Sequence, residues 1–304
     1  MSEYRNYDNN DVVEKTYKNM LEKQTLSYIG EINDILKCYN AKKYNIWYII
    51  ECLEDIVDES DPDTSLPQIH HAYQTAIMLK NLYISYDYSL KYINIRSLFN
   101  DIEWNNLPSK YKLDYSTSLN KFYKNILCWD WLILVGFIHD LGKIMLHKAF
   151  GNFPQWAVVG DTFPLGYKLD PNYVYYEKNY HKNNSDLNLN IYMDNCGFDN
   201  VVFNWGHDEY LARLLDKFSN LPKEAIYIIR YHSFYSWHTP KNKKRGYVNL
   251  ASEYDWYMLP ILKAFQKADL YSKNDNIPDF LSIKHIFGKL VEKYFPNEDF
   301  YLYY

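Results

Sequence analysis

The stretch Leu134-Val135-Gly136-Phe137-Ile138-His139-Asp140-Leu141-Gly142-Lys143 decides how the rest of the chain is read. Its apolar run suits a buried helix, yet it ends in His139 and Asp140, two groups that are costly to bury unless something pairs with them. A metal ion would be such a partner. On a helix, Lys143 follows His139 by four positions and Asp140 by three, so all three side chains would reach one cavity and set a fixed positive charge beside a ligand pair. Taken alone, the pair reads first as a core histidine and a capping aspartate. A site requires further histidines and carboxylates elsewhere in the chain.

At 304 residues the chain is long for one domain but compatible with one, and it can bury a large core. We expect a single domain over residues 1–304. A net charge of -5 and a pI near 6.0 argue against a nucleic-acid partner, whose phosphates would call for clustered Lys and Arg. The basic run Lys241 to Arg245 reads as a solvated loop. The longest apolar run, Trp131 to Ile138, falls far short of the roughly 20 residues that span a bilayer, so no membrane partner is expected. The polar first ten residues lack a signal-peptide core. A soluble, cytoplasmic protein follows. Cys38, Cys52, Cys128 and Cys196 form no Cys-x-x-Cys pair and read as reduced and mostly buried. The 33 tyrosines, with abundant Asn, Lys and Ile, share A/T-rich codons and report on the genome rather than on chemistry.

Apolar residues recur at helical spacing from about Val12 to Leu36, predicting an amphipathic helix broken once. Ile46 to Val57 continues the pattern to Asp58-Glu59-Ser60-Asp61-Pro62-Asp63, where Pro62 stops it. After Pro67, a helix should begin around Ile69 to Ala76. The Tyr/Asn-rich stretch from about 80 to 124 shows only patchy periodicity and gives no clear elements. A loop-rich stretch from Gly151 to about Asn200 precedes helices at Trp205 to Phe218, Pro222 to Tyr231 and Tyr254 to Lys273. With few alternating strands and no repeat, the fold should be mainly α.

Besides His139 and Asp140, the residues His71, His207, His232 and Asp269 are polar groups in or at the end of apolar surroundings. Each alone is more simply a satisfied core residue. Together, four histidines and two carboxylates on separate helices are what a dinuclear site inside a bundle requires. Imidazole and carboxylate without thiolate suit iron, manganese or zinc. Asp140, with two oxygens, can bridge two ions. Two carboxylates leave two metal ions with surplus positive charge, which favours an anionic oxygen such as a deprotonated hydroxyl. Asp58, Asp61, Gly160, Asp161, Ser233 and Lys273 would line a pocket for a hydroxyl-rich substrate. Asp63 and Thr162 read as turn or cap residues. His70 points about 100° away from His71 on a helix, and His147, His181, His238 and His285 lack a matching context.

These residues fall in motifs that resemble the myo-inositol oxygenase family. The resemblance runs through Asp-Glu-Ser-Asp-Pro-Asp at 58–63, His-Ala-Tyr-Gln-Thr-Ala at 71–76, His-Asp-Leu-Gly-Lys at 139–143 and Pro-Gln-Trp-Ala-Val-Val-Gly-Asp-Thr-Phe-Pro at 154–164. It continues at Trp-Gly-His-Asp-Glu-Tyr, 205–210, His-Ser-Phe-Tyr, 232–235, and Asp-Leu-Tyr-Ser-Lys, 269–273. It implies an HD-domain-like helical bundle around a dinuclear metal site, one iron held by His71, His139 and Asp269, the other by His207 and His232, with Asp140 bridging. It makes Arg5, Asp58, Asp61, Lys143, Gly160, Asp161, His232, Ser233 and Lys273 look like substrate contacts, with Lys143 and Asp140 catalytic. Two departures from the family stand out: the chain is roughly 40 residues longer than expected between His71 and His139, the surplus at about 80–124, and its Tyr-Leu-Tyr-Tyr end differs. Such a surplus is tolerable if it loops out on the surface, because closure entropy grows only logarithmically.

The implied activity is ring cleavage of myo-inositol by dioxygen to D-glucuronate at a mixed-valence Fe(II)/Fe(III) pair, with Lys143 favouring a substrate alkoxide electrostatically and no external reductant consumed. A monomer is expected. The alternatives are an HD-domain phosphohydrolase, in which the metals would generate a hydroxide nucleophile, and a catalytically dead binding protein. The pocket motifs around Asp58, Gly160 and Ser233 favour the oxygenase.

Overall fold

A computed structural model describes residues 7, 10–38, 40–62, 67–117, 123, 126, 128–241, 244–271 and 279–304. Arg5, Asp63 and Lys273 lie outside them. The described chain is mainly α, as its periodicity predicts, and its strands Lys42–Asn45 and Asp299–Leu302 form one antiparallel ribbon with Lys42 opposite Leu302. Among the described residues no helix is long and apolar enough to cross a membrane.

The amphipathic N-terminal segment is indeed two helices, Asp11–Lys23 and Leu26–Cys38. Asn10 caps the first by accepting from the Val13 amide at 3.2 Å, one of the orphan donors of a helix start. The break between them is put to use. Gln24 is fully buried there; its amide nitrogen donates to the Trp205 carbonyl at 2.8 Å and its oxygen accepts from the Trp205 amide at 2.9 Å. This clamp fixes the backbone two residues before His207.

At the centre, the helix Gln68–Tyr83 packs on the helix Asp130–Ile138, every residue of which is buried. Gly136 sets their separation. A Cβ at this position would lie 2.9 Å from the Ala76 Cα and 2.6 Å from the Leu79 Cδ1, so only hydrogen lets the backbones come this close. The approach brings the ring of His71, near the start of one helix, to 5.2 Å from that of His139, just past the end of the other.

The helix expected to run through Lys143 stops at Ile138. His139 still donates its backbone N–H to Val135 at 2.8 Å, but Asp140 sits at φ -94, ψ 2, and Leu141–Leu146 winds as a tighter three-residue turn. Periodicity alone cannot see this change, because the apolar pattern continues across it. In a three-residue turn positions i and i+3 eclipse, which stacks Lys143 over Asp140.

The described part of the 80–124 stretch does not loop out on the surface. It contains helices at Asp101–Asn106 and Ser109–Thr117, and it packs against the long helix Glu253–Tyr271. Tyr111 stacks on Trp256 at 4.9 Å between centroids and 15° between planes. Tyr123 donates its hydroxyl to the Tyr257 carbonyl at 2.7 Å. The reason for a further bond is covalent: Pro260 interrupts the long helix and has no N–H to offer the carbonyl of Trp256. The Tyr115 hydroxyl donates to that carbonyl instead.

Two smaller expectations fail. Arg245 is not in a solvated loop; its guanidinium is buried, 3.3 Å from Glu103 and donating to the Trp237 carbonyl. Cys52, Cys128 and Cys196 are free thiols, as expected, but half-buried rather than buried. Replacing Gly136 tests the central packing: Gly136→Val should lower stability by about 1–3 kcal/mol through overpacking, read as a lower urea midpoint with unchanged slope.

Candidate metal centre

Six side chains from five segments turn their polar ends to one point. On one side, His71 Nε2 lies 2.7 Å and His139 Nε2 3.2 Å from Asp269 Oδ1. The same two nitrogens lie 3.8 and 3.4 Å from Asp140 Oδ2. On the other side, His207 Nε2 and His232 Nε2 lie 3.2 and 3.6 Å from Asp140 Oδ1, and 3.2 Å from each other. Asp140 thus divides its oxygens between two pairs of imidazoles. Its side chain is 3 % exposed.

Each histidine but His71 is oriented by a backbone carbonyl. His139 Nδ1 reaches Gly136 O at 2.9 Å, His207 Nδ1 reaches Val158 O at 2.7 Å and His232 Nδ1 reaches Ile229 O at 2.7 Å. A carbonyl only accepts, so each Nδ1 carries a proton and Nε2 is the atom turned inward, a donor to the carboxylates when it too is protonated and a metal ligand when it is not. His207 is held twice, since its backbone N–H donates to the same Val158 carbonyl at 2.8 Å. Gly142 allows this approach: a Cβ there would stand 2.0 Å from the His207 carbonyl oxygen.

The donor set fits metal. Ligands about 2.1 Å from one ion lie roughly 3 Å apart at right angles, which is the spacing of these atoms. His71, His139 and Asp269 offer atoms within 4.8 Å of one another, and so do His139, Asp140 and His232. The 3.2 Å approach of the His207 and His232 Nε2 atoms is repulsive when both are unprotonated and favourable with a cation between them. Carbonyl-oriented imidazoles are the usual outer arrangement of metal-binding histidines.

Lys143 Nζ is buried and donates to Asp140 Oδ2 at 2.9 Å, to Asp58 Oδ2 at 2.8 Å and to Gln68 Oε1 at 2.9 Å. Burial works against its charge, but the two carboxylates outweigh it and hold the lysine protonated. In turn burial would raise the carboxyls of Asp58 and Asp140, yet Lys143 keeps Asp58 below the usual range and, with the histidines, keeps Asp140 well below it. Asp269 is also held well below, with His71 and His139 overcoming burial. Asp269 takes a further bond from Gln266 Nε2 at 3.2 Å.

Around this centre Asp58, Asp61, Gly160, Asp161 and Ser233 line the same pocket as the six groups and Lys143. Thr162, read as a cap residue, is turned away: its hydroxyl donates to Asp208. His70, His147, His181, His238 and His285 do not line the pocket. Several pocket residues escaped the sequence reading. Ser60 donates both its amide and its hydroxyl to Asp58 Oδ1, at 2.7 and 2.6 Å, and its place between Asp58 and Asp61 was a usable signal. Tyr17, classed as part of an apolar helix face, donates its hydroxyl to Asp161 Oδ1 at 2.8 Å. Tyr7 and Tyr235 also line the pocket; Gln68, outside the lining but a partner of Lys143, carries no signal in the sequence.

A mainly α protein with a buried histidine and carboxylate cluster spaced for metal defines the class. Within it, the chain belongs to the myo-inositol oxygenase family, whose sequence model, Myo-inositol oxygenase, matches residues 10–103 and 112–301. Only 104–111 fall between the two matched segments, so most of the 80–124 stretch lies inside the family pattern rather than beyond it. The chain is 38 % identical over 308 residues to the inositol oxygenase of Dictyostelium discoideum, covering 98 % of this chain and 89 % of that one. It is 34 % identical over 307 residues to that of Danio rerio, with 97 % and 92 % covered, and 34 % identical over 306 residues to that of Homo sapiens, with 97 % and 89 % covered.

Carboxylates with depressed native values contribute stability that is complete above the unfolded value near 4 and is lost as pH falls through the native value. In metal-free protein the stability contributed by Asp58, Asp140 and Asp269 should therefore be lost only below about pH 4. In Lys143→Met, burial of Asp58 is no longer offset and its native value rises above the unfolded one, so the acid loss should shrink and the variant should gain stability relative to the parent as pH falls toward 4, as followed by urea midpoints across pH. Separately, Gly142→Ala should displace the His207 backbone and weaken metal uptake by about tenfold or more, measured by metal titration of protein whose circular dichroism is unchanged.

Proposed function

We propose that the chain is a myo-inositol oxygenase that opens the ring of myo-inositol with dioxygen to give D-glucuronate at two iron ions. One ion would be held by His71, His139 and Asp269, the other by His207 and His232, with Asp140 between them. The observation that carries this proposal is the division of the two Asp140 oxygens between two separate sets of imidazole nitrogens. When bound, an Fe(II)/Fe(III) pair supplies the Lewis acidity that favours a substrate alkoxide and the capacity to reduce dioxygen.

The residues of the chain do the rest. Lys143, kept protonated by Asp58 and Asp140, stabilises negative charge on a substrate oxygen and does not serve as the base that takes its proton. Asp58 and Asp61 on one wall, with Gly160, Asp161 and Ser233 on the other, accept and donate hydrogen bonds to ring hydroxyls, and Tyr17 holds the Asp161 carboxylate in place. Arg5 and Lys273, carried by the family resemblance, would complete the contacts. The four-electron oxidation of the ring consumes one dioxygen, one oxygen atom entering the acid and the other leaving in water, so no external reductant is needed.

On the same grounds the chain is a single domain over residues 1–304, working as a monomer in the cytoplasm without nucleic-acid or membrane partners. The net negative charge supports the absence of a nucleic-acid partner.

Iron-loaded protein supplied with myo-inositol should take up one dioxygen for each glucuronate formed, followed with an oxygen electrode and product chromatography. Metal analysis should find two iron ions per chain in the parent and about one in His207→Ala. Absence of glucuronate, or hydrolysis of phosphoesters in its place, would overturn the proposal.

A further inference from the structure

Behind the metal centre lies a line of buried polar groups that the proposed reaction does not use. It starts in the 80–124 stretch. Glu103 is buried in the first turn of the Asp101–Asn106 helix, where its Oε2 accepts from the Asn100 amide at 3.1 Å and side chain at 2.9 Å, closing a reciprocal cap. Its other oxygen, Oε1, accepts from Lys263 Nζ at 2.8 Å and lies 3.3 Å from Arg245. Lys263 Nζ also donates to the His238 carbonyl at 2.8 Å. His238 is fully buried, and its Nε2 stands 2.8 Å from the His232 carbonyl.

The chemistry fixes each proton. The His232 carbonyl only accepts, so His238 carries its proton on Nε2 and accepts at Nδ1 from the Thr239 hydroxyl 2.9 Å away. Full burial and the nearby Lys263 push the His238 ring well below the usual imidazole value, which keeps this neutral form. His232 is thereby held at both ends: its ring donates to Ile229 and its carbonyl accepts from His238.

We propose that Glu103 is a positioning residue for His232, acting through Lys263 and His238. Two cations and one carboxylate share this buried spot, so Glu103 is what makes the charge of Lys263 tolerable there. Burial and the neighbouring Arg245 already pull the lysine down to about 8. Without the carboxylate the ammonium loses its partner, the His238 carbonyl loses its donor, and the bond from His238 to the His232 carbonyl loosens.

The inference rests on the two-ion reading of the site, and its test separates the two. Full-length metal-free protein is titrated with Mn(II), following bound and free ion by EPR. Glu103→Gln should weaken the weaker or second uptake step by about tenfold, within the range for outer partners of metal-binding histidines, and leave the first unchanged. His238→Ala should do the same, and the double variant should be no weaker than His238→Ala alone. Lys263→Met leaves Glu103 paired with Arg245 and should reproduce the effect if Glu103→Gln does not fold. In the same metal-free samples, 15N spectra of the imidazoles should show His232 shifting in Glu103→Gln while His71 and His139 stay. Equal weakening of both steps, additive effects in the double variant, or an unmoved His232 signal overturns the proposal. A parent protein that takes up no metal while His232 still responds to Glu103→Gln overturns the oxygenase reading and leaves the relay standing.

Discussion

Everything in this structure answers to the burial of one carboxylate. Taking an ionised group such as Asp140 out of water costs several kcal/mol unless charges and donors surround it. The fold supplies Lys143 on one side and four imidazole nitrogens within 3.2–3.8 Å of its two oxygens. Those partners span the chain from His71 to His232, so the carboxylate ties the packing of several helices to one point. The close Gly136–Ala76 contact, the Gln24 clamp on Trp205 and the glycine at 142 are each conditions for meeting it.

Much of this was legible because the expense of burying polar groups leaves a trace in sequence. A histidine or aspartate at the end of an apolar run stands out, and the residues His71, His139, Asp140, His207, His232 and Asp269 were found in this way. Helix positions were legible for the same reason, since burial imposes a period. What periodicity could not convey was where one kind of helical turn gives way to another, as at Ile138, or where a turn interrupts an amphipathic run, as at Gln24. Residues that act through their backbone or through absence of bulk, Gly136 and Gly142 above all, carry no chemical label. Tyr17 was hidden by being amphipathic: its ring belongs to the core and its hydroxyl to the pocket.

The elements of the 80–124 stretch are illegible for a related reason. Low periodicity and a Tyr/Asn-rich composition hide its burial, because tyrosine can bury its ring and still satisfy a carbonyl. Tyr115 and Tyr123 do this along the helix that carries Asp269, and Tyr111 stacks on the same helix at Trp256. Arg245 was misjudged together with them, because its basic neighbours pointed to solvent while its partner, Glu103, lay 142 residues away. Ion pairs of such separation leave no local pattern.

The proline within the Glu253–Tyr271 helix has a consequence for anyone who would trim this protein. Deleting the 80–124 stretch as a dispensable appendage would strip the Trp256 carbonyl of its tyrosine donor in a place water does not readily reach, a loss of about 1–3 kcal/mol for an unsatisfied acceptor. The damage would fall on the backbone that leads to Asp269, three turns further along. A shortened enzyme could therefore keep every ligand in its sequence and still fail to assemble them.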